Sequence, residues 1–127
     1  MAPRYVQVLN ETRDHVLAEK AELAGNVWKL LVGLIPYRTL DEGGGMVFPR
    51  TGSIHTTFLR FPIDVMFLNR TGRVVGMRSQ IRPFRIAWAP RGVYAAVELP
   101  VGILESAGCQ LGDQVTIRTA EDARPGP

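Results

Sequence analysis

A chain of 127 residues, 46% hydrophobic and 21% charged, suits one domain that buries roughly two-thirds of its unfolded surface, and this composition excludes wholesale disorder and fibrous repeats. The single cysteine, Cys109, excludes an internal disulfide and points to a reducing compartment; the longest apolar run, Trp28 to Pro36, is broken by Lys29 and is far shorter than a bilayer span. The net charge is +3, carried almost entirely by arginine, and the chain reads as cytoplasmic with no membrane partner.

In chain order, Tyr5 to Leu9 alternates as a strand and ends at the polar cluster Asn10 to Asp14, a turn. His15 to Ala24 pulls two ways. The residues from Ala18 to Ala24 have strong helix propensity, but the position directly after a turn and a fresh helix-start signal at Asn26 favour a second strand. Val27, Leu30, Leu31 and Leu34 then recur at helical spacing up to the stop at Pro36. Arg38 to Gly45 reads as a loop, and Met46 to Phe48 as a short strand; the three glycines lack the following Lys-Ser/Thr of a phosphate-binding loop.

Pro62 can stand at the first position of a strand, after which Ile63, Val65 and Phe67 point one way and Asp64, Met66 and Leu68 the other. Both faces are mostly apolar, so this strand should be central and buried, and Asp64 needs hydrogen-bond partners or a positive neighbour. Asn69 to Gly72 is a reverse turn that returns the chain as Arg73 to Met77. Further strands are expected within Ile81 to Ala89, from Val93 to Leu99, and from Val115 to Ile117. A short helix over Gly102 to Ala107 stops at a left-handed Gly108. Together these give a mainly β (β-rich α+β) fold, a small partly open barrel or folded-over sheet of about seven strands with two short helices. Residues 1–119 form the single domain and 120–127 a tail.

Several of these segments taken together resemble a known family. Gly33-Leu34 followed by Arg38 and Leu40, the segment from Ser53 to Val75, the run from Val97 to Gly102, and Leu111-Gly-Asp113 are similar to the domain of unknown function 192, over roughly Asn10 to Ile117. The resemblance implies a compact, mainly β domain, found in secreted and cytosolic proteins, with no established activity. A cysteine that often precedes the Ser53 segment is replaced here by Pro49 to Gly52, Lys29 stands where arginine is expected, and Leu59 where methionine is expected. The polar set Lys29, Arg38, His55, Thr56, Arg60 and Asp64 is left as the candidate shared site.

His55 and Asp64 are the pair closest to an acid-base dyad, with Asp64 fixing the imidazole tautomer. Ser53, Thr56, Thr57 and Cys109 are the available nucleophiles, yet no nucleophile-elbow motif accompanies them and the hydroxyls equally suit turn capping. Too few histidines and cysteines exist for a metal site, and no cofactor motif is present. Arg50, Arg60, Arg70, Arg73, Arg78, Arg82, Arg85 and Arg91 face one acid, Asp64, in the middle of the chain. These arginines either protect a strand edge or present a positive field to an anionic partner. Phe84 and Trp88 among Arg78, Arg82 and Arg85 could stack on bases, but a nucleic-acid motif is missing and nucleic acid is not expected.

The sequence therefore reads as a module that binds a small ligand or a protein through the surface around Ser53 to Asp64, where Arg60 and Arg38 meet an anionic group beside His55 in a pocket lined by Phe58, Phe61 and Trp88. Asp64 is assigned to holding the loop, accepting from its backbone or from His55. A hydrolase-like enzyme using His55 and Asp64 is the alternative, and polyanion binding through Arg50 to Arg91 the second.

Overall fold

The computed structural model describes residues 4–23, 43–49, 53–55, 61–83 and 85–119, with 53–55 as backbone only. Nine strands and one short helix are present among the described residues: β1 (Arg4–Asn10), β2 (His15–Leu23), β3 (Gly44–Pro49), β4 (Ser53–His55), β5 (Ile63–Leu68), β6 (Val74–Ile81), β7 (Ile86–Trp88), β8 (Ala95–Pro100), α1 (Ile103–Ser106) and β9 (Val115–Thr119). Seven of the strands form one curled sheet in the order β6-β5-β8-β3-β2-β1-β9, and β4 pairs with β7 as a separate ribbon. All pairings are antiparallel except β2 with β3. The fold is mainly β, as the strand pattern predicts.

β2 shows how tertiary pairing overrides local preference. Its alanines, glutamates and lysine favour a helix, yet it lies between β1 and β3, and Leu17, Ala18 and Ala21 are buried in the sheet's apolar layer. One other segment differs in detail from expectation. β3 begins at Gly44, inside the expected glycine loop. Ile81 closes β6, and Pro83, which has no N–H to donate, separates it from β7 (Ile86–Trp88), the strand expected between Pro83 and Pro90. The expected helix from Val27 to Leu34 and the tail from Ala120 to Pro127 lie outside the described residues. No helix among the described residues is long and apolar enough to cross a membrane.

Both faces of the sheet are covered. On β5, Met66 and Leu68 join one apolar layer with Val97, Leu99, Val47, Val8 and Leu17, sealed by Leu104 of α1. Ile63, Val65 and Phe67 join the opposite layer with Met46, Phe48, Phe61 and Ala96, to which the ribbon contributes Ala87. This period of two along β5 explains its burial at every position.

The sheet curls until its first and last strands meet at one end. Arg73 bridges to Gln114, Val74 N–H donates to the Asp113 carbonyl (2.9 Å), Gly112 N–H to Val74 (2.9 Å) and Val115 N–H to Gly72 (2.8 Å). The β5–β6 turn that starts this seam is held by Asn69, whose Oδ1 accepts from the N–H groups of Thr71 (3.0 Å) and Arg73 (2.9 Å), and Gly72 sits in the left-handed region at φ 86°.

The seam makes a comparison of two glycines informative. A Cβ at Gly72 would overlap the Val115 carbonyl oxygen, whereas one at Gly112, also left-handed at φ 88°, meets open space. Gly112→Ala is expected to cost ~1 kcal/mol, the conformational term alone, and Gly72→Ala at least about twice that because the seam must shift. Urea unfolding of the two variants checks this; equal losses would mean that the seam is not closely packed.

Candidate functional site

Five polar or charged side chains are buried among the described residues: Asn10, Glu22, Asp64, Glu98 and Asp113. Burial of such groups costs free energy unless partners compensate, so the partners decide what each can do.

Asp64 is fully buried at 0% exposure. Its Oδ1 accepts from the Gln80 N–H (2.9 Å), and its Oδ2 from the N–H groups of Gly102 and Leu104 (both 3.0 Å). Gln80 and Gly102 both have positive φ, at 54° and 96°, so two unusual backbone turns are directed at this carboxylate. The first turn of α1 has N–H groups without intrahelical acceptors, and Gly102 at its start has no side chain to cap them. A strand carboxylate supplies that cap from 40 residues away in sequence.

The same geometry separates Asp64 from the ribbon. Asp64 shares the β5 face of Met66 and Leu68, and its partner Leu104 lies in that layer, whereas the ribbon packs Ala87 into the layer on the opposite face. His55 stands on the ribbon opposite Ile86, and Ser53 opposite Trp88. Phe61, at the end of that segment, is buried in the ribbon-side layer. Lys29, Arg38, Thr56 and Arg60 lie outside the described residues, as do Thr57 and Phe58.

Asp113 is buried within a compact polar cluster. Its carboxylate accepts from Arg13 Nε and Nη2 (both 3.1 Å), from Asn10 Nδ2 (2.9 Å) and from the Gln110 N–H (3.0 Å). The Arg13 hydrogen bond comes first among the causes that bring its pKa down to about 2. Asn10 also accepts from the Arg13 N–H (3.2 Å) and donates to Cys109 Sγ (3.5 Å). Burial pushes the Cys109 thiol up, so it stays protonated and packs, unsuited to nucleophilic attack. This cluster pins the β1–β2 turn to the turn before β9.

Glu98 is different. It is 4% exposed on β8, and its Oε2 is buried with no hydrogen-bond partner among the described residues. Burial alone raises its pKa to about 8. Strand register fixes its surroundings: Met46 lies opposite Glu98 on one side and Glu22 on the other, and Val65 lies opposite Glu98 on the far side. Residues opposite each other share a face, so Glu22 and Glu98 flank Met46 in the apolar layer that the ribbon covers. Sequence reasoning passed over both glutamates. The available signal was the one that exposed Asp64, an acid inside an apolar strand, and in Glu22 helix propensity masked it. Among the described residues no cluster of three or more histidine, cysteine or acidic side chains could hold a metal.

The family model DUF192, described as an uncharacterized ACR, matches residues 8–117. A UPF0127 protein of Thermococcus sibiricus is 26% identical over 126 residues, covering 94% of this chain and 81% of that protein. A UPF0127 protein of Pyrococcus furiosus is 30% identical over 112 residues, covering 85% and 95%. The fold matches the crystal structure of a protein of unknown function from Novosphingobium aromaticivorans (TM-score 0.76, 23% identity, 91% of this chain and 93% of that one). It also matches a structure described as a putative transcription regulator from Sinorhizobium meliloti (TM-score 0.78, 23% identity, 91% and 94%). At this identity the two structures speak for the fold alone.

Two outcomes follow from the buried acids. Asp64→Ala leaves three backbone donors without their acceptor and should cost at least about 3 kcal/mol, and Asp64→Asn, which turns an amide donor toward one of them, should recover only part of that; urea unfolding measures both, and an asparagine variant as stable as the parent would contradict the clamp. For Glu98, the folded pKa of about 8 lies above the ordinary 4.5, so between these values the folded chain holds the additional proton and stability falls as pH rises. Glu98→Gln should therefore match the parent near pH 4.5 and gain on it by up to about 1.4 kcal/mol per pH unit toward pH 8, as read from thermal unfolding across that range.

Proposed function

We propose, on the premise that this chain belongs to the uncharacterised DUF192 family, that it is a binding module for a small polar ligand held over the sheet face that carries Glu98. One observation carries the reading: a carboxyl oxygen of Glu98 is buried without a hydrogen-bond partner among the described residues. Such a group detracts from folding stability, and uncompensated buried acids concentrate at functional sites. Near neutral pH the acid is protonated, so it can donate a hydrogen bond to a ligand oxygen or pass its proton to a basic ligand group.

Lys29, Arg38, His55, Thr56 and Arg60 are the proposed contacts for the rest of the ligand, where arginine forks suit a carboxylate or phosphate. Asp64, bonded to three backbone N–H groups on the opposite face of β5, stands outside the proposed site. Hydrolysis by His55 and Asp64 draws no support from the geometry, because the Asp64 carboxylate is already engaged by three backbone N–H groups.

A thermal-shift screen of amino acids, small amines and phosphorylated metabolites tests this reading. A ligand at about 100 times its Kd stabilises the native state by roughly 2.7 kcal/mol, which moves the Tm of a domain this size by several degrees. The shift should shrink in Glu98→Gln and in Arg60→Ala. A ligand whose shift is the same in the parent and both variants would place binding elsewhere.

A further inference from the structure

We propose that the outer edge of β6, together with the groove beside it, takes an extended acidic segment of a protein partner as an additional strand. β6 is the terminal strand of the seven-stranded sheet. The turn before β9 meets its outer edge at Val74, and beyond that no described residue pairs with it on that side. Arg78, Ser79 and Gln80 are exposed, so the edge is reachable from solvent.

A groove of about 410 Å³ runs beside this edge, lined by Phe67, Val75, Met77, Trp88, Pro90 and Leu111 with Arg78 in its wall. Trp88 is 73% and Leu111 65% exposed, an unusual outlay of large apolar surface in a small domain. The two come from different sides of the sheet. Trp88 belongs to the ribbon over one face, while Leu111 follows Cys109, which packs with the layer on the other face. Side chains of an added strand alternate between faces, so successive pairs would meet Trp88 on one side and Leu111 on the other.

Charge selects the partner. From Val65 to Val97 the chain contains six arginines, no lysine and no acid. An arginine on an open edge can serve simply to repel other strands. That role calls for no apolar groove, and here exposed aromatic and aliphatic surface flanks the edge, which a protective charge would not need. An extended peptide with alternating acidic and apolar side chains satisfies the backbone edge, the groove and Arg78 together.

Fluorescence anisotropy of the whole protein with a labelled peptide alternating glutamate and valine, compared with its lysine-valine counterpart and with a heparin fragment, tests the proposal. The acidic peptide should bind, with added hydrogen-exchange protection at the amides of Val75 to Ser79. Its affinity should fall by at least about tenfold in Trp88→Ala and in Arg78→Glu; both side chains are exposed, so circular dichroism should show the variants folded. No binding of the acidic peptide, equal binding of the two peptides, binding of heparin alone, or affinity unchanged in both variants would each overturn it.

Discussion

One buried carboxylate fastens parts of the chain that strand pairing brings near one another. Asp64 stands in the most buried strand and accepts from the backbone of Gln80, Gly102 and Leu104, so β5, the end of β6 and the start of α1 share one ion. A four-residue helix has no stability of its own. Anchored at its first turn, α1 can place Leu104 and Ala107 in the layer with Met66, Leu68 and Leu99. The ion is acceptable in that layer because each oxygen faces N–H donors, and those donors would otherwise lie buried without acceptors. The second fastening, Asp113 with Arg13 and Asn10, does for the β1–β2 turn what Asp64 does for α1.

Against those two acids Glu98 stands out by what it lacks. The three sit in one small domain and experience three different fields: backbone dipoles at Asp64, a guanidinium at Asp113, and burial without a compensating partner among the described residues at Glu98. The first two are explained by the fold they hold. Glu98 is not, and Met46 or Val65 beside it would pack equally well against a leucine. The face it occupies is the one the ribbon covers, so the Ser53–His55 strand and the acid left without a partner among the described residues lie on the same side of the sheet. That coincidence is the physical basis of the proposed ligand site.

Much of the architecture was legible because local chemistry and global packing agree. Pro62 and the alternation after it gave β5, Asn69 to Gly72 gave the hairpin, and Gly108 gave the end of α1, where φ is 67°. β2 was legible only from its position after a turn, since its residues prefer a helix. The need of Asp64 for partners was also readable, from an acid in an apolar run. Which partners was not, because Gln80 and Leu104 are brought to it by tertiary pairing alone. Asn10 and Asp113 lie 103 positions apart, and neither has an unusual sequence context. Glu98 sits in an apolar strand just as Asp64 does, so the same sequence criterion marks both acids.

The claim that Glu98 is a buried acid without a compensating partner is tested most directly by its titration. Carboxyl-carbon NMR of the folded protein, assigned by comparison with Glu98→Gln, reads its protonation without reference to ligand or stability. A midpoint near 8 is the expected result. A midpoint near 4.5, the ordinary value for a glutamate, would show that water or a charged partner reaches the carboxyl and would remove the reason for placing a site on that face.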